Sequence, residues 1–228
     1  MKTLKNIGIV AYPINGGYGI PTSYLNFFSK FGHVTMITHN EVDVRYDLDL
    51  LVLPGGPDVD PARYLDNTDE LSLFIGKSCP FRERFDRVLL PKYIDAGISI
   101  FGICRGHQSL AVYFGGTLTQ DMYHETNDTD RTKLVHDVVL IPKLDIDTLK
   151  INNLSSTPNT FKINSIHHQT VKVKPEGSTV LARHSKDNEI EALTYYPYYP
   201  AHTVQFHPEE IHDEFSITLI NHLLSLNE

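Results

Sequence analysis

Residues 98–115 read ISIFGICRGHQSLAVYFG. Ile98, Ile100, Phe101 and Ile103 make a run of strand formers that leads without a linker into Cys104, and Leu110, Ala111 and Phe114 then follow at helical spacing. A strand that turns at once into a helix, with a reactive side chain at the corner, is a nucleophile elbow. The corner needs small neighbours, which Gly102 and Gly106 supply. It also sets the sulfur at a helix N-terminus, where unpaired N–H groups favour the reactive thiolate. On this stretch alone the other reading stays open: a free cysteine buried as a small hydrophobe.

Upstream, strands and helices alternate. Residues 6–12 (NIGIVAY) read as a strand, 21–32 as a helix closed by Gly32, and 33–38 (HVTMIT) as the next strand. LDLLVLP (48–54) is nearly all apolar, as a strand buried on both faces should be. Residues 82–97 read as a helix closed by Gly97, in which Pro91 predicts a kink or two shorter helices. This β-α-β-α order implies a parallel sheet with helices on both faces. Downstream, short strand-like runs at 136–142, 160–164, 170–173, 178–184, 190–196 and 201–206 suggest hairpins and an antiparallel extension, with PYYP (197–200) as one hairpin turn. An amphipathic helix over 211–227 closes the chain, presenting Ile211, Phe215, Leu219 and Leu223 to the sheet. The expected fold is α/β: one domain over 1–228, with a flavodoxin-like, mostly parallel central sheet flanked by helices and an antiparallel extension in the C-terminal half.

Length and charge narrow the chemistry. At 228 residues the chain suits one sizeable domain. A net charge of −8 with no basic run argues against nucleic acid as a partner. No segment approaches the ~18 apolar residues of a membrane span, and the N-terminus lacks the pattern of a signal peptide. With only Cys79 and Cys104, reduced thiols and a cytoplasmic location are expected.

Three further features converge on the elbow. VLPGGPDVDP (52–61) runs a buried strand into a Gly-Gly-Pro turn, whose bare backbone can approach a ligand at the carboxyl end of a parallel strand. VQFHPEE (204–210) ends an apolar strand in His207-Pro208-Glu209. In extended backbone i and i+2 share a face, so Glu209 could orient His207 as a base. NSIHHQ (164–169) is a polar cluster between short strands. Its paired histidines raise the question of metal, but no Cys-x-x-Cys or His-Glu-x-x-His accompanies them, so no metal and no cofactor is expected and substrate contact or a hydrogen-bonded turn is left. Residues 57–80 form a long irregular excursion, suited to a binding loop, with Tyr64, Phe74 and Phe81 available to line a site.

Together PGGPDVDPARY, ICRGHQ, NSIHHQ and VQFHPE, in this order and spacing, resemble the class I glutamine amidotransferase-like superfamily over residues 6–226, and within it the gamma-glutamyl-gamma-aminobutyrate hydrolase branch. The resemblance implies Cys104 as nucleophile, His207 as its base and Glu209 as the orienting acid. It implies an oxyanion hole from the backbone N–H groups of Gly56 and Arg105. It also implies that Gln108 helps to hold the gamma-glutamyl group, and that His167, His168 and Gln169 contact the glutamate end, largely through backbone. Three positions depart from the branch. Arg82-Glu83-Arg84-Phe85-Asp86 stands where Arg-Asp-x-x-Glu is usual, PGGP replaces Pro-Gly-Gly-Gly, and Thr203 stands where many members have glycine. The activity so implied is hydrolysis of a gamma-glutamyl amide through a cysteine thioester, on a small-molecule substrate. A glutaminase subunit serving a separate synthetase, a non-catalytic binding protein on the same fold, and a homo-oligomer all stay open.

Overall fold

The computed structural model describes residues 4–65, 76–122, 126–127, 129–141, 151 and 158–226. Phe74, Pro142 and Asn227, each part of a sequence-based expectation, lie outside them.

Nine strands of the described residues form one sheet. Its parallel half runs β4 (Gly32–Ile37), β1 (Lys5–Val10), β5 (Leu50–Leu53), β6 (Ile100–Ile103) and β13 (Ala201–Val204). The antiparallel half continues through β12 (Ile190–Thr194), β11 (Thr179–His184), β8 (His136–Leu140) and β9 (Thr160–Ile163). This is the flavodoxin-like sheet with an antiparallel extension expected from the sequence. β13 is the joint, parallel to β6 on one side and antiparallel to β12 on the other.

Side-chain alternation explains why the central strands are apolar throughout. Leu50, Val52, Phe101 and Ile103 face α1 (Thr22–Phe28) and the C-terminal helix α6 (Glu214–Ser225), meeting Phe27, Phe28, Phe215 and Leu219. Leu51, Leu53 and Ile100 face the other way. They meet Leu89 and Tyr93 of the helical stretch before β6, and Leu110 and Ala111 of α4 (Arg105–Tyr113). Each Leu, Ile or Phe so buried contributes about 1.5–3 kcal/mol.

Several elements differ from expectation. α1 stops at Phe28, and Gly32 is the first residue of β4 rather than a helix cap; a Cβ there would sit 2.2 Å from the Lys5 carbonyl oxygen of the neighbouring strand. Tyr12 leaves β1 and joins a small hairpin of β2 (Tyr12–Ile14) and β3 (Gly17–Gly19). The helix expected over 82–97 does divide into two shorter helices, as Pro91 led one to expect, α2 (Pro80–Arg84) and α3 (Leu90–Asp95); the π-helical turn over Phe85–Leu89 that joins them was not expected. Pro91 lacks the N–H that would bond to Arg87, and the wider turn absorbs the loss. The 170–173 run, β10 (Thr170–Val173), leaves the main sheet and pairs with β7 (Thr117–Thr119). The closing helix begins at Glu214, because Pro208 starts a separate short helix α5 (Pro208–Ile211) that ends on a left-handed His212.

Candidate active site

Cys104 sits at the carboxyl end of β6 with φ 51° and ψ −105°, a conformation L-residues avoid unless the surroundings enforce it. The enforcement is visible. Its N–H donates to the Val204 carbonyl at 2.8 Å, and its carbonyl accepts from Gln108 N–H at 3.1 Å. The helix can start so close to the sheet because Gly106 has no side chain: a Cβ there would lie 2.0 Å from the Leu53 carbonyl oxygen.

Val204 pairs with Ile103, so β13 delivers His207 beside Cys104 just beyond the two strand ends. Cys104 and His207 line one cavity, and the sulfur acts electrostatically on the imidazole. On its other side His207 Nδ1 donates to Glu209 Oε1 at 2.6 Å. The route to this contact is not the extended one expected from i, i+2 spacing. His207 caps α5, with Pro208 in the first turn, and Glu209 reaches back from inside the helix. Burial alone would push the His207 imidazolium below its usual value; the carboxylate of Glu209 and the sulfur of Cys104 outweigh it and raise the pKa to about 10.

Asn164 holds His207 in place. Its Oδ1 accepts from His207 N–H at 2.9 Å, while its Nδ2 donates to the carbonyls of His207 (3.2 Å) and Arg131 (2.7 Å). Gly55 lies against the pair, since a Cβ on it would meet His207 Cε1 at 2.7 Å. Its N–H donates to Tyr24 Oη at 2.9 Å. Its carbonyl accepts from Tyr12 Oη at 2.5 Å and from Arg82 Nη1 at 2.9 Å.

A cavity of about 470 Å³ opens over Cys104 and His207, walled by Gly56, Tyr12, Tyr24, Ile166, Arg131 and Glu210 among others. Arg131 Nε donates to Glu210 Oε1 at 3.0 Å, so a cation and an anion stand together on its wall.

Gly56, with φ 150°, faces this cavity, and Arg105 is the first helical residue after Cys104, where a backbone N–H has no intrahelical acceptor. The Arg105 side chain turns away. It is fully buried and donates to Asp86 Oδ2 at 2.8 Å and Glu83 Oε1 at 2.6 Å. Asp86 Oδ2 also accepts from Arg63 Nη1 (2.9 Å) and Ser109 Oγ (2.5 Å). Burial would raise the Asp86 carboxyl, but Arg105, Arg63 and Arg82 hold it below its ordinary value.

The remaining expected residues lie beside the cavity, not on its wall. Gln108 is buried, its Nε2 donating to the Gln169 carbonyl (2.7 Å) and Gln205 Oε1 (3.2 Å). Gln169 Oε1 accepts from Val59 N–H at 3.1 Å, and His167 Nδ1 lies 3.2 Å from the Gln169 carbonyl. His168 Nε2 stands 3.0 Å from Asp58 Oδ1 and its Nδ1 3.3 Å from Asp121 Oδ1. Tyr64 Oη accepts from Gln169 Nε2 at 3.3 Å, and Phe81 packs on Tyr18 and His39 away from Cys104. Among the described residues no group of three His, Cys, Asp or Glu side chains is placed to hold a metal ion. No described helix is long and apolar enough to cross a membrane.

Residues 23–209 match the Peptidase C26 family. The chain belongs to that family. Peptidase C26 members are class I glutamine amidotransferase-like hydrolases, in line with the resemblance of the four motifs. The chain is 32% identical over 192 residues to the glutamine amidotransferase-like protein YvdE of Lactococcus lactis subsp. lactis, covering 82% of this chain and 79% of YvdE. It is 30% identical over 180 residues to the gamma-glutamyl-gamma-aminobutyrate hydrolase of Escherichia coli O157:H7, covering 76% and 68%. A glutamine amidotransferase structure from Thermotoga maritima shares the fold, with a TM-score of 0.61 at 17% identity over 91% of this chain and 77% of that one.

Tyr12, Arg82, Asn164, Arg131 and Glu210 were not singled out as site residues in the sequence. Asn164 carried a signal, as the first residue of the NSIHHQ cluster, and Glu210 stood at the end of VQFHPEE. Tyr12 read as strand, Arg82 as the start of a helix, and Arg131 stood in no motif at all.

Proposed function

We propose that this Peptidase C26 member hydrolyses gamma-glutamyl amides through a thioester on Cys104. The observation that carries the reading is Cys104 and His207 together on the floor of the cavity, with Glu209 buried behind them and its carboxylate 2.6 Å from the imidazole Nδ1. In the first step the Cys104 thiolate forms a bond to the side-chain carbonyl carbon, and the carbonyl π pair moves onto oxygen. The N–H groups of Gly56 and Arg105 receive that charge. Collapse breaks the C–N bond, and the amine departs with the proton held by His207. Water then adds to the thioester and returns one proton to His207. The C–S bond breaks, and glutamate leaves.

The substrate class rests on the wall chemistry. A gamma-glutamyl group carries an alpha-carboxylate and an alpha-ammonium, and Arg131 and Glu210 offer the complementary pair beside the nucleophile. The likeness to a gamma-glutamyl-gamma-aminobutyrate hydrolase supports the same class. The buried side chains of Gln108, His167 and Gln169 then shape the backbone around the pocket.

The test is glutamate release from a panel of gamma-glutamyl amides and from glutamine, with Cys104→Ser as control. Steady release by the isolated protein, abolished in Cys104→Ser, is the expected result. Turnover of glutamine only when a synthetase is added would favour an ammonia-delivering subunit. Binding without turnover, equal in Cys104→Ser, would sink the catalytic reading.

A further inference from the structure

Gly55 and Gly56 leave their shared peptide with little to restrain it: neither has a Cβ, and Gly56 sits at φ 150°, open only to glycine. A turned peptide would aim a carbonyl lone pair, rather than an N–H, at an oxyanion beside Cys104. Yet the peptide is gripped. Tyr12 Oη and Arg82 Nη1 both donate to the Gly55 carbonyl, at 2.5 Å and 2.9 Å. Arg82 Nη2 donates to the Pro54 carbonyl at 2.8 Å, so one guanidinium spans two successive peptides. The Gly55 N–H runs to Tyr24 Oη at 2.9 Å, and the Tyr24 ring stands 6.5 Å from that of Tyr12, so both polar groups of Gly55 end on a phenol.

A peptide unit is planar, and the Gly55–Gly56 bond is trans, so the Gly56 N–H points opposite to the Gly55 carbonyl. Fixing the carbonyl therefore fixes the N–H. Among the described residues that N–H has no hydrogen-bond partner, and Gly56 lines the cavity with Cys104. We infer that Tyr12 and Arg82 are positioning residues for acyl transfer, holding the Gly55–Gly56 peptide so that the Gly56 N–H stays ready for the oxyanion; this rests on the proposed reaction at Cys104.

The arrangement is built to last across pH. Burial raises the Tyr12 phenol to about 12, so it keeps the proton it donates. Arg82 is buried at 1% exposure with its guanidinium 5.4 Å from the Tyr12 ring centroid, and the two clamps brace each other.

The test compares the full chain with Tyr12→Phe, Arg82→Met and the double variant, on L-glutamine and L-gamma-glutamyl-4-nitroanilide. Iodoacetamide labelling of Cys104 runs in parallel, because alkylation forms no oxyanion. Tyr12→Phe is expected to lower kcat about tenfold and the double variant about a hundredfold or more, with KM and the alkylation rate within about twofold. Unchanged kcat in both single variants overturns the inference, and so does a fall in kcat matched by the alkylation rate. If the unsubstituted protein cleaves neither substrate while Cys104 still labels, the proposed function has failed instead. The clamp is then judged by a crystal structure of the double variant: a turned Gly55–Gly56 peptide supports it, and an unmoved one overturns it.

Discussion

A histidine as deeply buried as His207 ordinarily gives up its charge, because burial penalises the imidazolium. Here Glu209 on one side and Cys104 on the other reverse the balance, and the pKa stands at about 10. A charged His207 is the form that can hand a proton to a departing amine. The alkaline limb of kcat/KM is therefore expected near pH 10, well above the 6.5 of an ordinary histidine. Glu209→Gln keeps the shape and an acceptor oxygen but removes the charge, leaving Cys104 alone to oppose burial. Its limb should fall by about one pH unit or more, read from pH–rate profiles on gamma-glutamyl-4-nitroanilide. A limb that stays in place would show that Glu209 orients the imidazole without charging it. The pairing of these two side chains was legible as a His-x-Glu motif. Its geometry was not, since Pro208 starts a helix where an extended strand was expected.

At the level of elements, the elbow depends on how closely α4 rides on the sheet. Gly106 meets the Leu53 carbonyl where a Cβ would lie at 2.0 Å, and a Cβ on Gly102 would lie 2.9 Å from Gly106 backbone. Backbone on both sides leaves nothing flexible to give way. Gly106→Ala should push α4 off β5, cost about 1–3 kcal/mol in urea unfolding, and lower kcat by displacing Cys104. A variant with the native midpoint and rate would show that the elbow tolerates the shift. The same contacts explain what could be read in advance. β5 and β6 announce themselves as apolar runs because both faces are covered. Gly32 misled because a glycine needed for strand approach looks, in sequence, like a glycine that caps a helix. Pro91 signalled the division into two shorter helices but not the π-helical turn between them, which keeps Asp86 aimed at Arg105.

Across the whole molecule, topology was legible because the order of strands and helices admits few arrangements. Cys104, His207 and Gly56 could be placed for the same reason, each at a strand's carboxyl end. Tyr12, Arg82 and Asn164 could not, since their partners lie 27 to 43 residues away and no local spacing marks them. The joint strand β13 shows the same long-range logic in stability. Its neighbouring residues face opposite layers. Thr203 Oγ1 lies 2.8 Å from His107 Nδ1 on α4, and His202 Nε2 lies 2.8 Å from His222 Nδ1 on α6. Burial lowers all three histidines: His107 to about 3, His202 well below its usual value with help from His222, and His222 itself. A depressed group contributes stability that is complete above its unfolded value near 6.5 and is lost as pH falls through the folded value. Glu189 and Asp213, raised by burial to about 7 and about 6, work in the opposite sense and offset part of the loss. His39 and Asp86 are lowered as well and act in the same sense as the three histidines, so against two raised carboxyls the net is a fall, and the urea midpoint should drop as pH goes from 6.5 toward 4. His107→Asn presents an amide to Thr203 in place of Nδ1 and cannot titrate. It should flatten the slope by up to about 1.4 kcal/mol per pH unit, the equivalent of one proton. If that variant lost stability with acid as steeply as the native chain, the sensitivity would lie outside the α4–β13 contact, and β13 would not be the element through which acid loosens the two layers.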